Sequence, residues 1–174
     1  MSKQSYDHPN VIVFPPLIPI VTIAMGSTLQ WLRPLALLAQ VDLAWRVVTG
    51  VALLVAGVLF ASTGRYALMR RGTNVNPLRP ATALVTDGVF GWTRNPMYVG
   101  VSFAVIGIAL VFAVDWLLLL FVAGLVLLHY GVVLREEQYL EHKFGDEYRC
   151  YKSDVARYLR PIKPRVVSSS TTGS

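Results

Sequence analysis

Apolar residues gather in four blocks along the chain, at residues 14–32, 45–63, 98–114 and 116–134, with polar stretches between and after them. A helix needs about 20 mostly apolar residues to cross the hydrocarbon of a bilayer, and each block meets or nearly meets that length. No strand-like alternation and no internal repeat is visible, so the pattern predicts an all-α fold, a polytopic membrane helical bundle of about four transmembrane helices. The first block opens with Pro15, Pro16 and Pro19, tolerated in a first turn, where the missing N–H has no helical partner anyway. Only Asp115 separates the last two blocks. They are expected to form a tight helical hairpin over 98–134, its helices side by side and Asp115 a turn residue in the interface. The stretch 35–41 is apolar but too short to span, and reads as interfacial or as a loop.

Composition agrees with this layout. Hydrophobic residues make up 54% of the chain and charged residues 15%, against about 25% charged in an ordinary soluble domain. That excludes a disordered chain and argues against a soluble globule. The single cysteine, Cys150, excludes an internal disulfide and a Cys-cluster metal site. His8, His129 and His142 have no metal-ligand spacing, so no metal is expected, and His129 is expected to hydrogen-bond within the bundle.

Charge sets the orientation. The formal net charge is +6. Four spans put the N-terminus, the 64–97 loop and the C-terminal tail on one side. That side carries Lys3, Arg65, Arg70, Arg71, Arg79, Arg94 and the basic residues of the tail, against Arg33 and Arg46 on the other. The positive-inside bias therefore places both termini in the cytoplasm of an inner or plasma membrane. The excess charge reads as orientation and attraction to anionic headgroups, with no nucleic-acid partner. The first block lacks the flanks of a cleavable signal peptide. Residues 1–13 read as an N-terminal cytoplasmic segment, and the low-complexity end, 162–174, as a disordered tail.

Two polar segments concentrate the candidate chemistry. The 64–97 loop is long for a connection between membrane helices, and such loops are often functional. It includes the turn signal Asp87-Gly88 and ends Arg94-Asn95-Pro96-Met97-Tyr98-Val99-Gly100. Pro96 can begin a helix, whose free N–H groups make an anion site. The second segment follows the fourth block. Glu136 and Glu137 stand at the membrane boundary, where acids facing lipid are costly. They point about 100° apart on a helix, so both cannot serve one contact equally. Gly145 is a helix stop, and a further short helix is expected over about 146–158, with Tyr148, Tyr151 and Val155 on one face. No P-loop, nucleophile elbow or zinc-protease motif is present.

Together the two segments resemble the isoprenylcysteine carboxyl methyltransferases and, equally, their phospholipid N-methyltransferase relatives. The resemblance rests on Leu84-Val85-Thr86-Asp87-Gly88-Val89-Phe90 with the Arg94–Gly100 string, on Glu136-Glu137, on Phe144-Gly145-Asp146-Glu147-Tyr148 with Tyr151, and on Arg157-Tyr158-Leu159-Arg160-Pro161. It covers roughly residues 72–161. It implies a single membrane methyltransferase domain over 14–161, with short cytoplasmic C-terminal helices and an S-adenosylmethionine site built from 72–100 and 132–161. The contacts it implies come from Thr82, Ala83, Leu84, Val85, Phe90, Asn95, Pro96, Met97, Tyr98 and Glu136. Arg135 and Arg94 are candidates for positioning the acceptor. The chain departs from the carboxyl methyltransferases in carrying Asn95 where they have His, so no acid–base role attaches there. It also carries Val132 where they have a substrate arginine. The implied activity is methyl transfer to a lipophilic acceptor at the cytoplasmic face of the bilayer. The alternatives are a phospholipid amine acceptor, a nicotinamide-dependent sterol-type reductase with a related pocket, and a non-enzymatic membrane subunit.

Overall fold

The computed structural model describes residues 9–159 of the 174. Lys3, His8, Arg160, Pro161 and the tail expected at 162–174 lie outside the described residues. The regular elements within them are helical: α1 (Leu17–Leu32), α2 (Leu43–Arg70), α3 (Pro96–Phe112), α4 (Asp115–Leu128), α5 (Leu134–Phe144) and α6 (Asp146–Asp154). A π-helical turn, His129–Val133, joins α4 to α5 as one rod. Leu43–Arg70 and Asp115–Phe144 are long and apolar enough to cross a membrane, and Leu17–Leu32 and Pro96–Phe112 are shorter apolar helices. Large apolar side chains such as Val55, Val58, Leu119 and Val122 face outward. The fold is a helical membrane bundle.

The helices lie where the apolar blocks predicted, with three differences. First, α2 continues to Arg70 rather than stopping near residue 63. Its 28 residues reach about 42 Å at 1.5 Å per residue, beyond the hydrocarbon thickness of about 30 Å. The extra turns, with exposed Arg65, Tyr66 and Arg70, are polar enough to stand in water, so apolarity alone could not reveal them. Second, the last helix ends at Asp154, and the chain from Val155 runs back across the start of α3. Third, the 98–134 hairpin turns tightly but its helices diverge. Ala113 takes a left-handed conformation (φ 53°), after which α3 lies along α2 and α4 along α1, with few contacts between α3 and α4.

Asp115 is the first residue of α4 and is buried. It stands at the hairpin turn, as expected, and its Oδ1 accepts from the Leu38 N–H at 2.8 Å, which ties down the 33–41 loop. That loop contains only a short 3-10 turn, Leu38–Gln40, and is exposed. Gln30 donates to the Leu35 carbonyl (2.7 Å) and Trp116 Nε1 to the Arg33 carbonyl (2.7 Å).

The α2–α3 pair is the most closely packed in the bundle. The buried positions of α2 are Gly50, Gly57 and Gly64, spaced by seven. They meet Gly107, Gly100 and Pro96 of the antiparallel α3. Small residues let two backbones approach closely where lipid offers no hydrophobic drive. A Cβ on Gly57 would stand 2.5 Å from the Gly100 carbonyl oxygen and 2.8 Å from the Ala104 nitrogen. Gly57→Ala is therefore expected to destabilise the fold by about 1–3 kcal/mol or more, the usual range for overpacking. Gly91→Ala, which meets only a carbonyl at 3.7 Å, should be near neutral. Thermal unfolding midpoints of the two variants in one detergent check this.

Candidate functional site

The loop after α2 folds back under the bundle and is held by specific bonds. Thr73 Oγ1 accepts from the Thr82 N–H at 3.0 Å, and Asn74 donates to the Pro80 carbonyl at 2.7 Å. The Tyr139 hydroxyl of α5 accepts from the Ala81 N–H at 3.1 Å. The loop then forms a 3-10 turn, Gly88–Gly91, whose Phe90 carbonyl accepts from the Tyr151 hydroxyl at 2.7 Å. Val85, Phe90, Tyr148 and Tyr151 make one buried cluster. Burial raises the pKa of the Tyr148 and Tyr151 phenols well above the usual range, and the Tyr151 hydroxyl, a neutral donor to the Phe90 carbonyl, fastens the loop to α6.

Between this loop, the start of α3, α5 and α6 lies a cavity of about 140 Å³. Its wall takes Ala83, Leu84 and Val85 from the loop, Phe90 from the 3-10 turn, and Asn95, Pro96, Met97 and Tyr98 from the start of α3. Glu136 comes from α5. The structure thus brings nine of the ten residues expected to contact a cofactor, and Arg94, around one cavity. Thr82 is outside the wall and exposed, with its hydroxyl donating to the Gly72 carbonyl. Arg135 is outside it too, and its Nη1 donates to the Asn10 carbonyl at 3.0 Å.

The two adjacent acids take different partners, as their helical offset requires. Glu136 Oε1 accepts from the Tyr98 hydroxyl at 2.8 Å. Glu137 turns into an ion cluster. Its carboxylate receives Arg157 through Nε (2.9 Å) and Nη2 (2.8 Å), a bidentate pair, and Arg94 through Nη2 at 3.2 Å. The Arg94 and Glu137 side chains are only 7% and 6% exposed. Arg94 Nε and Nη1 are buried with no hydrogen-bond partner among the described residues. The chain after α6 closes the cluster. The Ala156 carbonyl accepts from the Arg94 N–H, and the Arg157 carbonyl accepts from Thr93 Oγ1 and Asn95 Nδ2, each at 3.0 Å. Asn95 therefore spends its side-chain N–H on the backbone of the crossing segment.

Sequence reasoning missed this cluster. Arg157 stood in the matched tail and Glu137 beside Glu136, but nothing in their spacing joins them to Arg94.

A second concavity opens where α3 and α4 diverge. It is an open cleft of about 540 Å³, walled by apolar residues such as Phe103, Ile106, Phe121 and Leu125. His129 and Tyr158 also line it. His129 Nδ1 lies 2.9 Å from the Tyr158 hydroxyl, the hydrogen bond expected of this histidine, at the first residue of the π-helical turn. In the same turn the Gly131 carbonyl accepts from the Ile12 N–H at 3.0 Å. Tyr98 lines both concavities.

Comparison with known proteins adds a family. The sequence profile of the phospholipid methyltransferase family matches residues 45–147, more than half of the chain. An uncharacterised protein of Haemophilus influenzae is 67% identical over 27 residues, 16% of this chain and 43% of that protein. The match thus spans less than half the length of that curated relative. No solved structure matches the chain.

Proposed function

The chain belongs to the phospholipid methyltransferase family, and from that premise we propose that it binds S-adenosylmethionine in the cavity beneath the bundle and methylates a lipophilic acceptor held in the α3–α4 cleft. One observation carries the reading. Tyr98 lines both the polar cavity and the apolar cleft, so a soluble cofactor and a lipid can meet at a single side chain. The family makes the chain a membrane methyltransferase, and the charge bias favours a cavity on the cytoplasmic side.

The residues in the wall suit such a cofactor. Leu84, Phe90 and Met97 offer an apolar surface, Glu136 an acid, and Arg94 two guanidinium nitrogens that have no hydrogen-bond partner among the described residues. When bound, S-adenosylmethionine supplies an electrophilic methyl group on a sulfonium. We propose contacts from Ala83, Leu84, Val85, Phe90, Asn95, Pro96, Met97, Tyr98 and Glu136. Tyr98 orients Glu136 through its hydroxyl, so the acid enters the cavity preorganised rather than free to rotate. The free space of about 140 Å³ is below the roughly 300–1,000 Å³ of ordinary ligand pockets. The cavity therefore has to widen on binding. The main contribution of the protein to rate would be positioning, with water excluded from the junction at Tyr98.

The test uses the purified protein, methyl-labelled S-adenosylmethionine and a membrane lipid extract. Label is expected in the lipid fraction after chromatography. Release of that label as methanol in mild base identifies a carboxyl ester acceptor, and retention identifies methylation on nitrogen or sulfur. Cofactor binding with no label in any lipid would overturn the lipophilic acceptor.

A further inference from the structure

We propose that Arg94 anchors the carboxylate of the amino-acid end of the cofactor, opposite Glu136, so that the cavity recognises a zwitterion. The inference rests on the reading above and deepens it by assigning the anionic half of the site.

The charges in the cluster do not balance. Two guanidinium groups, Arg94 and Arg157, share the single carboxylate of Glu137. Arg157 holds it bidentately at 2.8–2.9 Å, whereas Arg94 reaches it through one nitrogen at 3.2 Å. One positive charge is left over in a buried place. It falls on Arg94, whose side chain is 7% exposed and whose Nε and Nη1 meet no carboxylate among the described residues; the Tyr148 hydroxyl beside it is a neutral group and leaves the charge unbalanced. A buried charged donor left unpaired is costly, and buried unpaired groups of this kind ask for an unseen partner. Arginine is always protonated and its N–H groups suit a carboxylate. Arg94 and Glu136 both stand in the wall of the same cavity. A ligand with one ammonium and one carboxylate satisfies both; an uncharged nucleoside satisfies neither.

An anion for Arg94 could also come from a lipid headgroup, and the experiment separates the two sources. Calorimetry on the full chain in detergent, without lipid, compares S-adenosylmethionine with its decarboxylated analogue, which keeps the sulfonium, ribose and ammonium. A charge-assisted bond to arginine predicts about ten- to hundredfold weaker binding of the analogue. Arg94→Gln should weaken the parent cofactor by a similar factor and bind both compounds alike. Arg94→Lys, which keeps the charge beside Glu137, should restore part of the difference. The wild-type comparison needs no variant to fold. Equal binding of both compounds by the wild type would overturn the anchor while leaving the methyltransferase reading intact. Binding of neither would overturn both.

Discussion

Glu136→Ala is expected to abolish measurable binding of S-adenosylmethionine while the protein keeps its helical fold. The carboxylate lines the cavity and is oriented by the Tyr98 hydroxyl at 2.8 Å. Its partner in the complex would be the ammonium of the cofactor, a cation taken out of water on binding. Truncating one member of a buried, hydrogen-bonded charge pair costs about 2–5 kcal/mol, a loss of roughly thirty- to several-thousandfold in affinity. The fold should survive because Glu136 makes no ion pair among the described residues; that task belongs to Glu137. Tyr98→Phe should do less, since it removes the bond that orients the acid but keeps the acid. Calorimetry gives the affinities, and circular dichroism with gel filtration checks the fold. Wild-type affinity in the Glu136→Ala protein would remove this residue from the site.

The route from sequence to this site was uneven, for physical reasons. Helix positions followed from apolar blocks because a bilayer-facing helix advertises itself by hydrophobicity alone. The end of α2 did not, since its last turns carry Arg65, Tyr66 and Arg70 and are stabilised by helix continuation rather than by lipid. The hairpin was readable from the lone Asp115, but not its divergence. That depends on which neighbour each helix prefers: the glycines of α2 fit the backbone of α3, and Gly26 of α1 packs against Leu117 of α4. Motif resemblance gathered the cavity residues from three separate segments, which spacing could not have joined. It did not distinguish residues facing the cavity from those beside it. Thr82 turns its polar groups to Gly72 and Thr73. The ion cluster was the least readable part. It forms only because the chain leaves α6 after Asp154 and crosses the start of α3, a tertiary path without a local signal.

That cluster predicts the largest effect on stability. Glu137→Ala would leave Arg94 and Arg157 facing each other with no carboxylate between them. Removing one partner from a buried ion pair costs about 3–5 kcal/mol, because the remaining charge stays buried and uncompensated. Here two charges are stranded, although Arg157, at 31% exposed, can turn partly to water. The damage should be local first. The 155–158 segment is pinned by the same neighbourhood, through the Ala156 and Arg157 carbonyls, so its release would open the cavity wall at Asn95. The expected result is a much lower thermal midpoint and faster proteolysis of the C-terminal segment. Because the cluster is buried, the wild-type midpoint should respond little to added salt. Glu141→Ala supplies the contrast. Lys152 beside Glu141 draws its carboxyl below the usual range, and the pair is solvent-exposed, so its loss should leave the midpoint nearly unchanged. Equal midpoints for Glu137→Ala and Glu141→Ala would show that Glu137 does not hold the site together.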